Sequence, residues 1–173
     1  ESEVLNLLST DKFIPTKNFF KGYRGLSGDG LSIESKNKDI AILAYGTYFL
    51  NSEEVNGLED TENIKEAFKY DNLNYNEFIK KYYNGKSPKN INPLKYDYNK
   101  ALFINGNNVA YNTIRKDFYV VSYIENNKIH YKKVIYNKDK NSYVIFEASY
   151  LEKDKKIMDS IVNEMVKSFK IIK

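Results

Sequence analysis

From residue 109 onward, the apolar and polar positions follow a regular sequence of periods. Val109 to Arg115 suits a strand. Asp117 to Ile124 suits the next, with Phe118, Val120, Ser122 and Ile124 on one face and Tyr119, Val121 and Tyr123 on the other. Glu125-Asn126-Asn127-Lys128 is a polar turn that closes a hairpin onto Ile129 to Tyr136. A second polar turn, Asn137 to Asn141, leads into Tyr143 to Tyr150, which places Val144, Phe146, Ala148 and Tyr150 on one side. The period then changes from two to three and four. Ile157, Met158, Ile161, Val162, Met165, Val166 and Phe169 recur as a helical stripe behind Asp154, a candidate N-cap. Four strands in meander order predict an antiparallel sheet, and a helix after the last strand can fold back across it.

The first half of the chain is patterned less regularly. Residues 1–24 read as an arm that packs down through Phe19 and Phe20. Gly25, Gly28 and Gly30 form a turn and not a phosphate loop, because no Lys-Ser or Lys-Thr follows and the next residues are strand-like. Leu31 to Ser35 alternates, Lys36 to Asp39 is a turn, and Ile40 to Leu50 is a long apolar run, so these form a hairpin. Gly46 within the second strand suggests a bulge or a close backbone approach. After a polar stretch at 51–60, Thr61 and Asn74 are candidate caps for two short helices or one kinked helix ending near Gly85. Residues 86–100, with Pro88 and Pro93, read as a mobile connection, and Leu102 to Ile104 as a short strand. The resulting expectation is an arm over 1–24 and a single α+β domain over 25–173. Its central antiparallel sheet is flanked by helices on both faces, an α/β/α sandwich.

Composition narrows the function classes. The 173 residues are 42% hydrophobic, with 16 Tyr and 10 Phe, which is enough apolar surface for a core. The net charge of +4 is spread along the chain, and Arg occurs only at Arg24 and Arg115, so no concentrated phosphate-reading stripe and no nucleic-acid partner is expected. Without Cys there is no disulfide, Cys zinc site or thiol nucleophile. His130 is the lone His, which makes a poor metal site but could act as a general base with Asp117, Glu125 or Glu147. Glu147 lies inside an apolar strand, and its plainest reading is a cross-strand pair with a Lys such as Lys133. Seven of the tyrosines lie between residues 111 and 150, where a half-apolar ring with a hydroxyl suits recognition of sugars, peptides or proteins. Tyr119, Tyr123, His130, Tyr131 and Glu147 are therefore the candidate binding residues. No catalytic residue, metal or cofactor is expected.

The run VAYNTIRKDFYVVSYIENNKIHYKKVIY, followed by SYVIFEASYLEKDKKIMDSIVNEMVKSF, resembles the end of a PsbP-like domain, in which a meander leads into a final helix closing with a Ser-Phe pair, here Ser168-Phe169. GDGLSIESKNKDIAILAYG is similar to the first hairpin of bacterial relatives. The chain departs from them at Tyr123, where relatives often show Gly. The resemblance implies an α/β/α sandwich, an extracytoplasmic bacterial setting and no shared catalytic apparatus.

The leading expectation is a non-enzymatic binding or scaffolding module. It would be the processed part of a lipoprotein or secreted protein, meeting a protein, small-molecule or glycan partner and reaching a membrane only through a lipid anchor before Glu1. The alternative is a small hydrolase using Asp117, His130 or Glu147 in a cleft. A weaker third is a binder of acidic polymers or membrane surfaces. Function is expected in the 51–60 and 84–100 segments and on uncovered sheet surface. Burying the helical stripe would contribute on the order of 10 kcal/mol before chain entropy is subtracted. Deleting residues 155–173 is thus predicted to abolish cooperative unfolding, and a sharp thermal melt of the shortened chain would refute this.

Overall fold

The computed structural model describes residues 13–15, 30–35, 38–48, 65, 68–87 and 91–171. The arm expected over 1–24 and the polar 51–60 segment lie outside them, apart from the strand Phe13–Pro15. The chain divides into two compact units, Glu1–Tyr48 with Asn108–Lys173, and Phe49–Asn107.

The first unit is α+β and contains a seven-stranded antiparallel sheet. Its strands are β1 (Phe13–Pro15), β2 (Gly30–Ser35), β3 (Ala41–Tyr48), β4 (Val109–Ile114), β5 (Phe118–Glu125), β6 (Lys128–Asn137) and β7 (Ser142–Leu151), in the order β1-β2-β3-β7-β6-β5-β4. Two local meanders are joined where β3 meets β7, from Ala41 opposite Ser149 to Tyr48 opposite Ser142. The β5–β6 and β6–β7 turns are built by asparagine. Asn126 and Asn127 both take positive φ, 51° and 60°, as a two-residue hairpin of the sheet's own twist requires. The Asn137 side chain accepts from the N–H groups of Asp139 and Lys140, and Asn141 closes that turn at φ 45°. Gly46 makes no bulge, because the β3–β7 register runs through it without a break. Among the described residues, a Cβ there would come nearest the Tyr143 carbonyl oxygen, at 3.6 Å, which is an ordinary contact.

Helix α3 (Lys155–Ser168) packs on one sheet face. Met158 and Val162, 1% and 2% exposed, meet Ile42 of β3, Ile129 of β6 and Phe146, Ala148 and Tyr150 of β7. The Phe169 ring lies 5.6 Å from that of Phe146. Side chains also tether the helix at both ends. The Tyr150 hydroxyl donates to Asp159 Oδ1 at 2.6 Å, and Lys133 Nζ donates to the Val166 carbonyl at 3.0 Å, near the partly negative helix C-terminus. Two expectations need correction. Asp154 occupies the cap position, but its side chain makes no capping bond. The chain enters α3 through a 3-10 turn, Glu152–Asp154, which leaves Asp154 at ψ 2° instead of extended. Ile157 is 62% exposed, because the helix presents the i, i+4 line of Met158 and Val162 to the sheet.

In the second unit α1 (Tyr75–Tyr83) starts at Asn74, whose side chain accepts from the Glu77 N–H at 3.2 Å. It ends at Asn84 in the left-handed region, one residue before the expected Gly85. The mobile connection expected over 86–100 and the strand over 102–104 give way to a helix, α2 (Pro93–Asn105). Pro93 occupies the first turn, where its missing N–H costs nothing, and Asn92 caps it through the Lys95 N–H at 3.0 Å. Phe68, Phe78, Tyr96 and Phe103 pack edge-on or tilted, with centroids 5.0 Å apart for Phe68–Phe78 and 5.7 Å for Phe78–Tyr96. Among the described residues no helix is long and apolar enough to cross a membrane.

Met158→Ala should cost about 2–4 kcal/mol of stability, because it leaves a cavity between α3 and the sheet. Ile157→Ala should cost less than about 0.5 kcal/mol. Urea denaturation of the two variants checks the contrast.

Candidate functional site

Strand alternation divides the sequence-predicted residues. Directly paired residues share a face, and β5–β6–β7 pairing places Tyr123 opposite His130, and Lys132 opposite Glu147. These four lie on the face opposite α3 and line a small cavity of about 220 Å³ with Leu43 and Ser149. Tyr45 reaches in diagonally from β3. Its hydroxyl donates to Glu147 Oε1 at 3.3 Å, while Lys132 Nζ stands 3.1 Å from the same oxygen. The Tyr123 and His130 rings stack nearly parallel, at 4.7 Å and 7°.

Tyr131, one residue from His130, also borders this cavity, but its ring lies on the α3 side, where it meets Phe146 edge-on at 6.3 Å. The other two candidates fall elsewhere. Tyr119 shares the face of Tyr123 but lies four residues along β5, about 13 Å away. It is fully buried. Asp117 precedes β5, roughly 20 Å from Tyr123 along the strand, and its carbonyl accepts from the Tyr136 N–H. Of the three hydrolase candidates, His130 and Glu147 share a face and line the same cavity, and Asp117 is remote from both. The cross-strand partner of Glu147 is Lys132, not Lys133. Lys133 has the opposite parity and lies on the α3 side, where burial lowers the pKa of its ammonium. Sequence reasoning also missed Tyr45. Counting across the 137–142 turn would have found Lys132, whereas the β3–β7 register that brings Tyr45 in has no local signal.

Burial lowers the His130 pKa from its ordinary value. Glu125 and Glu147 pull it up less strongly, and Lys128 adds to the lowering. Burial raises the Tyr123 phenol, with the carboxylates of Glu147 and Glu125 adding and Lys132 opposing. At neutral pH the patch thus presents a neutral imidazole, a protonated phenol and a paired Lys–Glu. It offers flat apolar rings beside hydrogen-bond donors and acceptors. Among the described residues the His130 ring is stacked on Tyr123, and its strand position pairs with Tyr123 in the sheet. Among the described residues no group of three or more His, Asp or Glu gathers to hold a metal ion. Compared with family models, curated proteins and solved structures, the chain matches none.

The depressed His130 pKa fixes the sign of a pH effect. Between the folded value and the unfolded value near 6.5 the unfolded chain binds the extra proton. His130 therefore opposes folding as pH falls through 6.5 and ceases to add to the loss below the folded value. The stability lost between pH 7 and pH 5 should be smaller in His130→Phe than in the parent chain. An equal loss in the two proteins, measured by urea denaturation, would contradict this.

Proposed function

We propose that this chain is a non-enzymatic binding or scaffolding module of a bacterial lipoprotein or secreted protein, of PsbP-like architecture with helices on both sheet faces. The observation that carries the binding half is the pairing inside the patch. His130 is stacked on Tyr123, and Glu147 is held by Lys132 and Tyr45, so the side chains a hydrolase would need are engaged as a recognition surface. Aromatic rings beside an amino group and a carboxylate suit a polar ligand with ring faces, such as a glycan, or the side chains of a protein partner. The extracytoplasmic setting and the PsbP-like architecture rest on the resemblance of the 25–50 and 109–171 sequences. The antiparallel meander followed by a closing helix accords with that resemblance.

The experiment is an NMR titration with neutral and acidic oligosaccharides, run alongside chromogenic ester and glycoside hydrolysis. The expected result is saturable shifts at Tyr123, His130 and Lys132, lost in Tyr123→Ala, with hydrolysis no faster than in buffer. Turnover that disappears in His130→Asn would replace this reading with the hydrolase.

A further inference from the structure

The face that α3 covers is only half covered. Its core contacts lie on β3, β7 and β6, and none on β5 or β4. Beyond the helix a cleft of about 690 Å³ opens between α3 and the β4–β5–β6 side of the sheet. That volume lies within the range of small-molecule sites, roughly 300–1,000 Å³. Its floor and wall include Val120, Ile129, Tyr131, Val162 and Val166, while Ile124 and Tyr111 stand 39% and 56% exposed at its outer side.

Two features give the cleft a chemical preference. The first is charge. The ionic side chains that line it are Arg115, Lys133, Lys155, Lys167 and Asp159. Asp159 is bound by Lys155 and Tyr150, Lys167 pairs with Glu164, and Lys133 is held by the carbonyls of Val166 and Phe169. Among the described residues the Arg115 guanidinium has no such partner, and it stands in a planar geometry suited to a carboxylate. The second is an unused donor. The Tyr131 hydroxyl is half-buried and makes no hydrogen bond among the described residues. Burial pushes its pKa up to about 12, so it remains a donor. A half-buried donor without a partner among the described residues, on the lining of a largely apolar cleft, is most simply satisfied by a ligand or a water molecule.

We infer that this cleft binds a small amphipathic carboxylic acid, with its carboxylate on Arg115 and its apolar body along Val120, Ile129 and Val162. An extended peptide added alongside β4 is the competing occupant. It is disfavoured because the β4 register shifts between Val109 and Tyr111, an irregularity that interrupts edge pairing. The inference is independent of the patch on the opposite face.

Amide NMR titration of the whole chain tests it, with decanoate as the aliphatic acid, 6-hydroxy-2-naphthoate as the aryl acid, and decan-1-ol and 2-naphthol as uncharged counterparts. Saturable shifts at Ser122, Tyr131, Val162 and Val166 are expected from at least one acid, and the acid that gives them identifies the body. Its affinity should fall about tenfold in Arg115→Ala and less in Arg115→Lys, and its uncharged counterpart should bind more weakly by a similar factor. No shift with either acid, shifts away from the cleft, or affinities indifferent to Arg115 and to the carboxylate would each overturn the assignment. So would an uncharged peptide that perturbs β4 while both acids leave it unchanged.

Discussion

The pairing of β3 with β7 is the constraint on which the first unit depends. Every other strand contact in the sheet joins neighbours in sequence and could form by local hairpin closure. The β3–β7 ladder joins residues about a hundred positions apart, so it carries the largest loop-closure cost in the sheet. It repays that cost on both faces at once. On one it delivers Ile42 to the core under α3, and on the other it delivers Leu43 and Tyr45 to the polar patch. A one-residue slip would exchange the two sets, setting Leu43 and Tyr45 against Met158 and Ile42 among the charges. The patch and the core are thus specified by a single register.

The patch owes its character to its place in the sheet. Lys132 and Glu147 keep 29% and 33% of their side-chain surface exposed. Their attraction is therefore modest in energy, and its effect is mainly to fix where a donor and an acceptor stand. His130 lies close to two carboxylates, yet burial outweighs their pull on its proton. The result is a surface of defined geometry and little net charge, unlike the other face, where the cations line the cleft.

The meander and α3 were legible in the sequence because each is written in its own periodicity and bounded by turn residues. Asn126, Asn127 and Asn141 occupy left-handed positions that elsewhere often take glycine, so the turns could be read from asparagine alone. Parity separated the two faces within β5 and within β7 correctly, whereas the shared surface of Tyr123 and Glu147 follows from the β5–β6–β7 register. Helix α2 was misread because Pro93 and Asn92 signal a helix start as well as a loop. Its apolar residues, among them Leu94, Tyr96 and Phe103, follow no clean helical period, because they serve an aromatic cluster. Tyr45 and the α3 cleft were beyond sequence reasoning, since both depend on non-local pairing and on how far a helix extends across a sheet.

The tethers at the two ends of α3 have a consequence for the cleft beside it. Asp159 binds the helix to β7 through Tyr150, and Lys133 binds its far end to β6. The wall of the cleft is therefore fixed by the same bonds that hold the fold, and does not wait for an occupant. A molecule entering such a space gives up its own freedom but requires little ordering of the protein. Discrimination there rests on shape, since a rigid wall excludes a misfitting body instead of yielding to it.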